Sequence, residues 1–108
     1  MTFKQELVER ENKPDVIKLY GELDIYESTD FKNKVLRYLN ENEGDLYFDF
    51  SELDYIDSTG LGALIAILKQ VEEMDRKVYL NGVNERIRKL FKITKLEEMF
   101  VFLGDIDE

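Results

Sequence analysis

The sequence contains no cysteine and no histidine. Disulfides, thiol catalysis, serine–histidine triads and the usual zinc sites are therefore excluded. Positive charge is also scarce. Lys and Arg number 15 against 24 Asp and Glu, a formal net charge of −9. Such a surface repels DNA, RNA and anionic membranes, because phosphate contacts dominate nucleic-acid affinity. Neither a nucleic acid nor a membrane is expected as a partner. The charge suits plain solubility and a basic partner surface equally well. No apolar run is long enough to span a bilayer, and the charged, alternating stretch Met1 to Glu11 is unlike a signal peptide. A cytoplasmic location is the expectation.

What is present is one ordinary domain. The 108 residues carry normal apolar and aromatic content and fit a single domain over 1–108. Phe3 to Glu9 reads as an edge strand. Asn12-Lys13-Pro14-Asp15, holding the single proline, is a turn, and Val16 to Leu23 is the hairpin partner. Ser28 to Leu39 fits a helix capped by Ser28 or Thr29, with Phe31, Val35, Leu36 and Leu39 as its apolar stripe. Leu46 to Phe50 is apolar enough for a strand buried on both faces. Helices follow at 58–74 and 84–91, the second capped by Asn84, and strands at 76–80 and 99–103; the acidic tail 104–108 is expected to fray. This order predicts an α/β fold with a mostly parallel five-stranded sheet, an N-terminal β-hairpin and three main helices. The predicted core is Ile17, Leu19, Phe48, Leu61, Leu64, Ile65, Leu68, Leu80 and Leu90.

The run Asp57-Ser58-Thr59-Gly60-Leu61-Gly62 lies at a strand-to-helix turn. In open α/β folds, sites sit at the carboxyl edge of the sheet, and free N–H groups at a helix start favour an anion. Asp57 or Ser58 can serve as N-cap. With no histidine to act as base, Ser58 is a poor nucleophile, but modification by another enzyme needs no internal base. On the helix that follows, Leu61, Leu64, Ile65, Leu68 and Val71 share the sheet-facing side. The opposite side carries Thr59, Gly62, Ala63, Ala66, Lys69, Gln70 and Glu73, with Ile67 and Met74 flanking. Two readings of that small-residue side stand. It is packed by the domain's own loops, or it is a docking surface beginning at Ser58. Asp24, Asp54 and Asp57 either converge as a Mg²⁺ site or serve as turn and cap residues. Gly60-Leu61-Gly62 is no dinucleotide fingerprint and no phosphate loop occurs, so no cofactor, metal or enzymatic activity is expected.

Gly21-Glu22-Leu23-Asp24 and Leu53 to Gly62 together resemble the signature of STAS domains, which include bacterial anti-sigma factor antagonists and the cytoplasmic tails of sulfate transporters. The resemblance covers nearly the whole chain in element order. It implies an antagonist that binds an anti-sigma factor serine kinase and releases a sigma factor. That kinase would phosphorylate Ser58 and a metal-dependent serine phosphatase would reverse it. Thr59 is a second phosphoacceptor candidate. The resemblance also raises the docking reading, with Asp24, Asp57, Ser58, Thr59, Gly62, Ala63, Ala66, Ile67 and Gln70 as the expected partner-binding residues; a monomer or weak dimer is expected. The alternative is a non-switching STAS subunit of a transporter or of a stress-signalling complex. The family usually ends in a fourth helix, for which the tail is too short.

Overall fold

The computed structural model describes residues 3–104. Strand β1 (Phe3–Val8) and strand β2 (Val16–Leu23) form the antiparallel hairpin. Helix α1 (Ser28–Glu41), strand β3 (Leu46–Ile56), helix α2 (Ser58–Glu73), strand β4 (Val78–Asn81) and helix α3 (Glu85–Ile93) follow. A 3₁₀ turn at Glu97–Met99 leads into strand β5 (Val101–Leu103). The sheet runs β1-β2-β3-β4-β5, with β2 to β5 mutually parallel. The expected α/β class, hairpin, five strands and three helices are all present. The expected frayed tail lies, apart from Gly104, outside the described residues.

Strand order equals chain order, so successive right-handed crossovers step the same way and leave all three helices on one face. Burial follows. Ile17, Leu19 and Leu23 on β2, and Val78 and Leu80 on β4, are buried, while Val16, Lys18, Tyr20 and Tyr79 between them are half-buried. Strand β3 obeys the same rule, which corrects the expectation that it is buried on both faces. Leu46, Phe48 and Phe50 lie in the core, whereas Tyr47 and Asp49 face the open side. There Tyr47 stacks on Tyr79 at 4.6 Å between ring centroids.

Strand β3 also continues past Phe50 to Ile56. Its extension pairs with the end of β2, Tyr20 opposite Glu52 and Leu23 opposite Ile56, after register shifts between Lys18 and Tyr20 and between Gly21 and Glu22. The bulges space the buried residues Leu53 and Ile56 three apart rather than two, so no strand period shows in the sequence. The extension delivers Asp57 to the end of β2, where its backbone N–H donates to the Leu23 carbonyl at 3.1 Å.

Helix α2 is rotated relative to expectation. Leu61, Leu64, Leu68 and Val71 are buried as predicted, but Ile67 is fully buried and Ile65 only partly. Ala63 is buried too, because α1 packs along that side. Leu90 is likewise half-buried against the core rather than within it, while Ile87 and Phe91 fill the α3 side. Among the described residues no helix is long and apolar enough to cross a membrane.

Candidate functional site

Asp57 is the N-cap of α2. Its backbone is extended, and its Oδ1 accepts from the N–H of Thr59 at 2.9 Å, the N–H of Gly60 at 3.0 Å and the hydroxyl of Thr59 at 2.6 Å. These bonds satisfy orphan donors of the first helical turn. They also hold the Asp57 carboxyl below its ordinary value of 3.8. The Thr59 hydroxyl contributes most, partial desolvation opposes it, and the N–H groups of Gly60, Thr59 and Ile25 add to the lowering.

With Asp57 as the cap, Ser58 has no capping duty. It is exposed, and among the described residues no partner holds its hydroxyl. The neighbouring hydroxyl differs. Thr59 Oγ1 donates to Asp57 and lies 3.2 Å from Ser28 Oγ, and Ser28 is buried and donates to the Asp24 carbonyl. Ser28 thus ties α1 to α2 instead of capping α1, whose N-cap is Glu27 without a side-chain bond. Asn84 does cap α3, accepting from the N–H of Ile87 at 2.8 Å.

Asp24 turns the chain out of β2. Its Oδ1 accepts from the N–H of Tyr26 at 3.1 Å, and its carbonyl accepts from the N–H groups of Glu27 and Ser28. The turn leaves Ile25 63% and Tyr26 88% exposed. Neither was singled out from sequence. The available signal was two bulky residues directly after Gly21-Glu22-Leu23-Asp24, where the strand has already ended. The three aspartates form no cation cage: no group of acidic residues that could hold a metal occurs among the described residues. Asp24 and Asp57 serve the turn and the cap.

Two hollows flank the start of α2. A groove of about 230 Å³ runs between α1 and α2, with Ile25, Thr29 and Lys32 opposite Thr59, Gly62 and Ala66. A cleft of about 280 Å³ opens on the other side, between Ser58 and α3. A larger hollow, about 430 Å³, lies on the open sheet face beside Lys18, Tyr47 and Asp49, and no residue of the Asp57–Gly62 turn lines it. Asp24, Asp57, Ser58 and Thr59 therefore share one edge of the sheet, with Gly62 and Ala66 along the adjoining groove. Ala63, 7% exposed, also lines the groove. Gln70 sits farther along α2 and is half-buried. Ile67 is excluded from this surface, since its side chain lies in the core.

The two glycines of the motif separate cleanly. A Cβ on Gly60 would come within 2.7 Å of Ile56 Cγ1 and of the Leu23 carbonyl oxygen, so the close approach of α2 to the sheet requires glycine. A Cβ on Gly62 would meet nothing within 4 Å. Close packing on the sheet therefore accounts for Gly60 and not for Gly62.

Comparison with known proteins agrees with this geometry. The STAS domain family matches residues 7–108. Anti-sigma-B factor antagonists of Staphylococcus epidermidis and Staphylococcus aureus are 35% and 34% identical over 83 residues, 77% of this chain and 77% of theirs. An anti-sigma factor antagonist from Mycobacterium paratuberculosis shares the fold at a TM-score of 0.82 and 17% identity, covering 98% of this chain and 89% of the other. The Bacillus cell-fate determinant SpoIIAA in its phosphorylated form shares it at 0.72 and 20%, covering 94% and 93%. The chain belongs to the STAS domain family, among relatives that are anti-sigma factor antagonists.

Proposed function

We propose that this chain is an anti-sigma factor antagonist. In its unmodified form it binds an anti-sigma factor that is itself a serine kinase, and so releases a sigma factor. Phosphorylation of Ser58 by that kinase ends the binding, and a metal-dependent serine phosphatase restores it. The chain is the substrate of the switch and carries no catalysis of its own. The observation that supports this most is the unengaged, exposed hydroxyl of Ser58 at a helix start whose cap is Asp57. Thr59, with its hydroxyl bound to Asp57 beside Ser28, is the poorer acceptor. The relative SpoIIAA has been solved in unphosphorylated and phosphorylated forms, which favours modification as the family's device.

The physics of such a switch is local. A phosphoserine adds about −1.5 to −2 charges. Across an interface, at about 6 Å and an effective dielectric near 20, each pairing of that phosphate with a carboxylate of the kinase costs roughly 3 kcal/mol. The free helix N-terminus offsets about 1 kcal/mol within the antagonist, which protects the fold and does little for an interface. The docking surface is the α1–α2 groove with Asp24, Asp57, Ser58, Thr59, Gly62, Ala63 and Ala66, and Gln70 beyond. Ile25 lines the groove and, with the next residue Tyr26, adds exposed apolar area.

Incubation with cognate serine-kinase anti-sigma factors and ATP, followed by mass mapping, tests the reading. A single phosphate on Ser58 is expected, and none on Ser58→Ala. If the chain binds such a kinase and is never phosphorylated, the non-switching STAS subunit becomes the better description.

A further inference from the structure

The cleft between α2 and α3 shares Asp57 and Ser58 with the docking surface and adds residues of α3 that this surface does not use. Ser58, Tyr55 and Leu61 line it from the β3–α2 side, and Arg86, Leu90 and Thr94 from α3. Two of its lining side chains carry charge, Asp57 and Arg86. The Asp57 carboxylate is already turned into the helix start by its bonds to Thr59 and Gly60. Arg86 is exposed, and its guanidinium makes a long donation, 3.4 Å, to the Asp54 carbonyl. Both ion pairs present among the described residues belong to other cations, Lys34 with Asp30 and Arg88 with Glu97.

We propose that Arg86 is the internal counter-ion of phosphate on Ser58, holding the phosphoserine in the α2–α3 cleft that both residues line. This rests on the reading of Ser58 as phosphoacceptor. The reasoning is electrostatic. A dianion added beside Asp57, in a chain of net charge −9, is drawn to the cation lining the same cleft. A guanidinium offers phosphate two parallel N–H donors. Leaving the 3.4 Å contact to the Asp54 carbonyl costs little, since bonds of that length are weak. The modified state then differs from the unmodified one in two ways. Position 58 carries a dianion in place of a free hydroxyl, and the cleft that Ser58 lines gains an ion pair that holds the phosphate there.

The test needs no kinase. The chain is made with phosphoserine incorporated at position 58 during translation, and the second ionisation of the phosphate is followed by ³¹P NMR against pH. A nearby cation favours the dianion, so the midpoint in the wild-type sequence should lie about half a pH unit below that in Arg86→Gln. Arg86→Lys keeps the charge and should retain most of the displacement. Lys89→Gln removes a cation from the same helix without touching the cleft, and should leave the midpoint in place. Coincident midpoints for the wild-type sequence and Arg86→Gln overturn the proposal, and so does an equal rise in Lys89→Gln. Kinase affinity of the phosphorylated chain is a separate reading. If that affinity is undiminished while the midpoints differ, the switch fails and the counter-ion stands. If the midpoints coincide while affinity is lost, the reverse holds.

Discussion

Gly60 and Gly62 stand two residues apart on α2 and answer to different demands. At Gly60 the sheet dictates the residue, because Ile56 and the Leu23 carbonyl occupy the space of a side chain. At Gly62 nothing inside the domain requires glycine, since the position is exposed and open. A helix interior pays for glycine with about 0.5–1 kcal/mol relative to alanine. The same division runs along the helix. Leu61, Leu64, Ile67, Leu68 and Val71 hold the fold together, while Ser58, Gly62 and Ala66 contribute little to it. The fold explains the inner residues, and the proposed function assigns the outer ones to a partner.

The largest expected effect is on the inner side. Leu64→Ala should cost roughly 2–5 kcal/mol, read as a lowered denaturation midpoint, because the site is fully buried beneath the helix. An unchanged midpoint would erase the distinction between the two sides. Gly60→Ala comes next, at about 1–3 kcal/mol from overpacking against backbone and Leu23. If it proves neutral, the close approach of α2 to β2 is not what fixes glycine there.

Asp57→Ala should cost about 0.5–2 kcal/mol near neutral pH through loss of the cap. The Asp57 carboxyl titrates below its ordinary value in the folded chain, so its share of stability is present above about pH 3.8 and lost as pH falls through the lower folded value. The gap between wild type and Asp57→Ala should therefore close in acid. A gap that is constant with pH would mean that the carboxylate's charge is not what stabilises the helix start. The smallest effects on folding belong to the outer side. Gly62→Ala should raise stability by about 0.5–1 kcal/mol, and Ala66→Arg should leave the melting temperature unchanged while weakening kinase binding in calorimetry. Loss of stability in either variant would return this strip to the domain's own packing.

Much of this division was legible in the residues. The limits of α2 and the Asn84 cap follow from helical periodicity and Asx chemistry, and both are present. Other features depend on contacts remote in sequence. The continuation of β3 to Ile56 is hidden by bulges that break the period of two. Tyr47 lies in the strand expected to be buried on both faces, yet the crossovers leave one sheet face uncovered, and there it stacks on Tyr79. Ile65 and Ile67 flank the same apolar stripe, and only the position of α1 decides which is buried. Sequence alone left Asp57 and Ser58 as rival caps. The paired N–H donations to Asp57 decide between them. Arg86 enters from a helix 28 positions downstream of Ser58, beyond the reach of any local motif.

On the proposed switch, the start of α2 changes its charge without changing the fold. The direct measurement is calorimetric titration of a cognate serine-kinase anti-sigma factor with the unmodified and the Ser58-phosphorylated chain, alongside their melting temperatures. A net cost near 3 kcal/mol predicts roughly hundredfold weaker binding after phosphorylation, with the two melting temperatures the same. Equal affinities, or a phosphorylated chain that binds poorly because it has partly unfolded, would contradict the account.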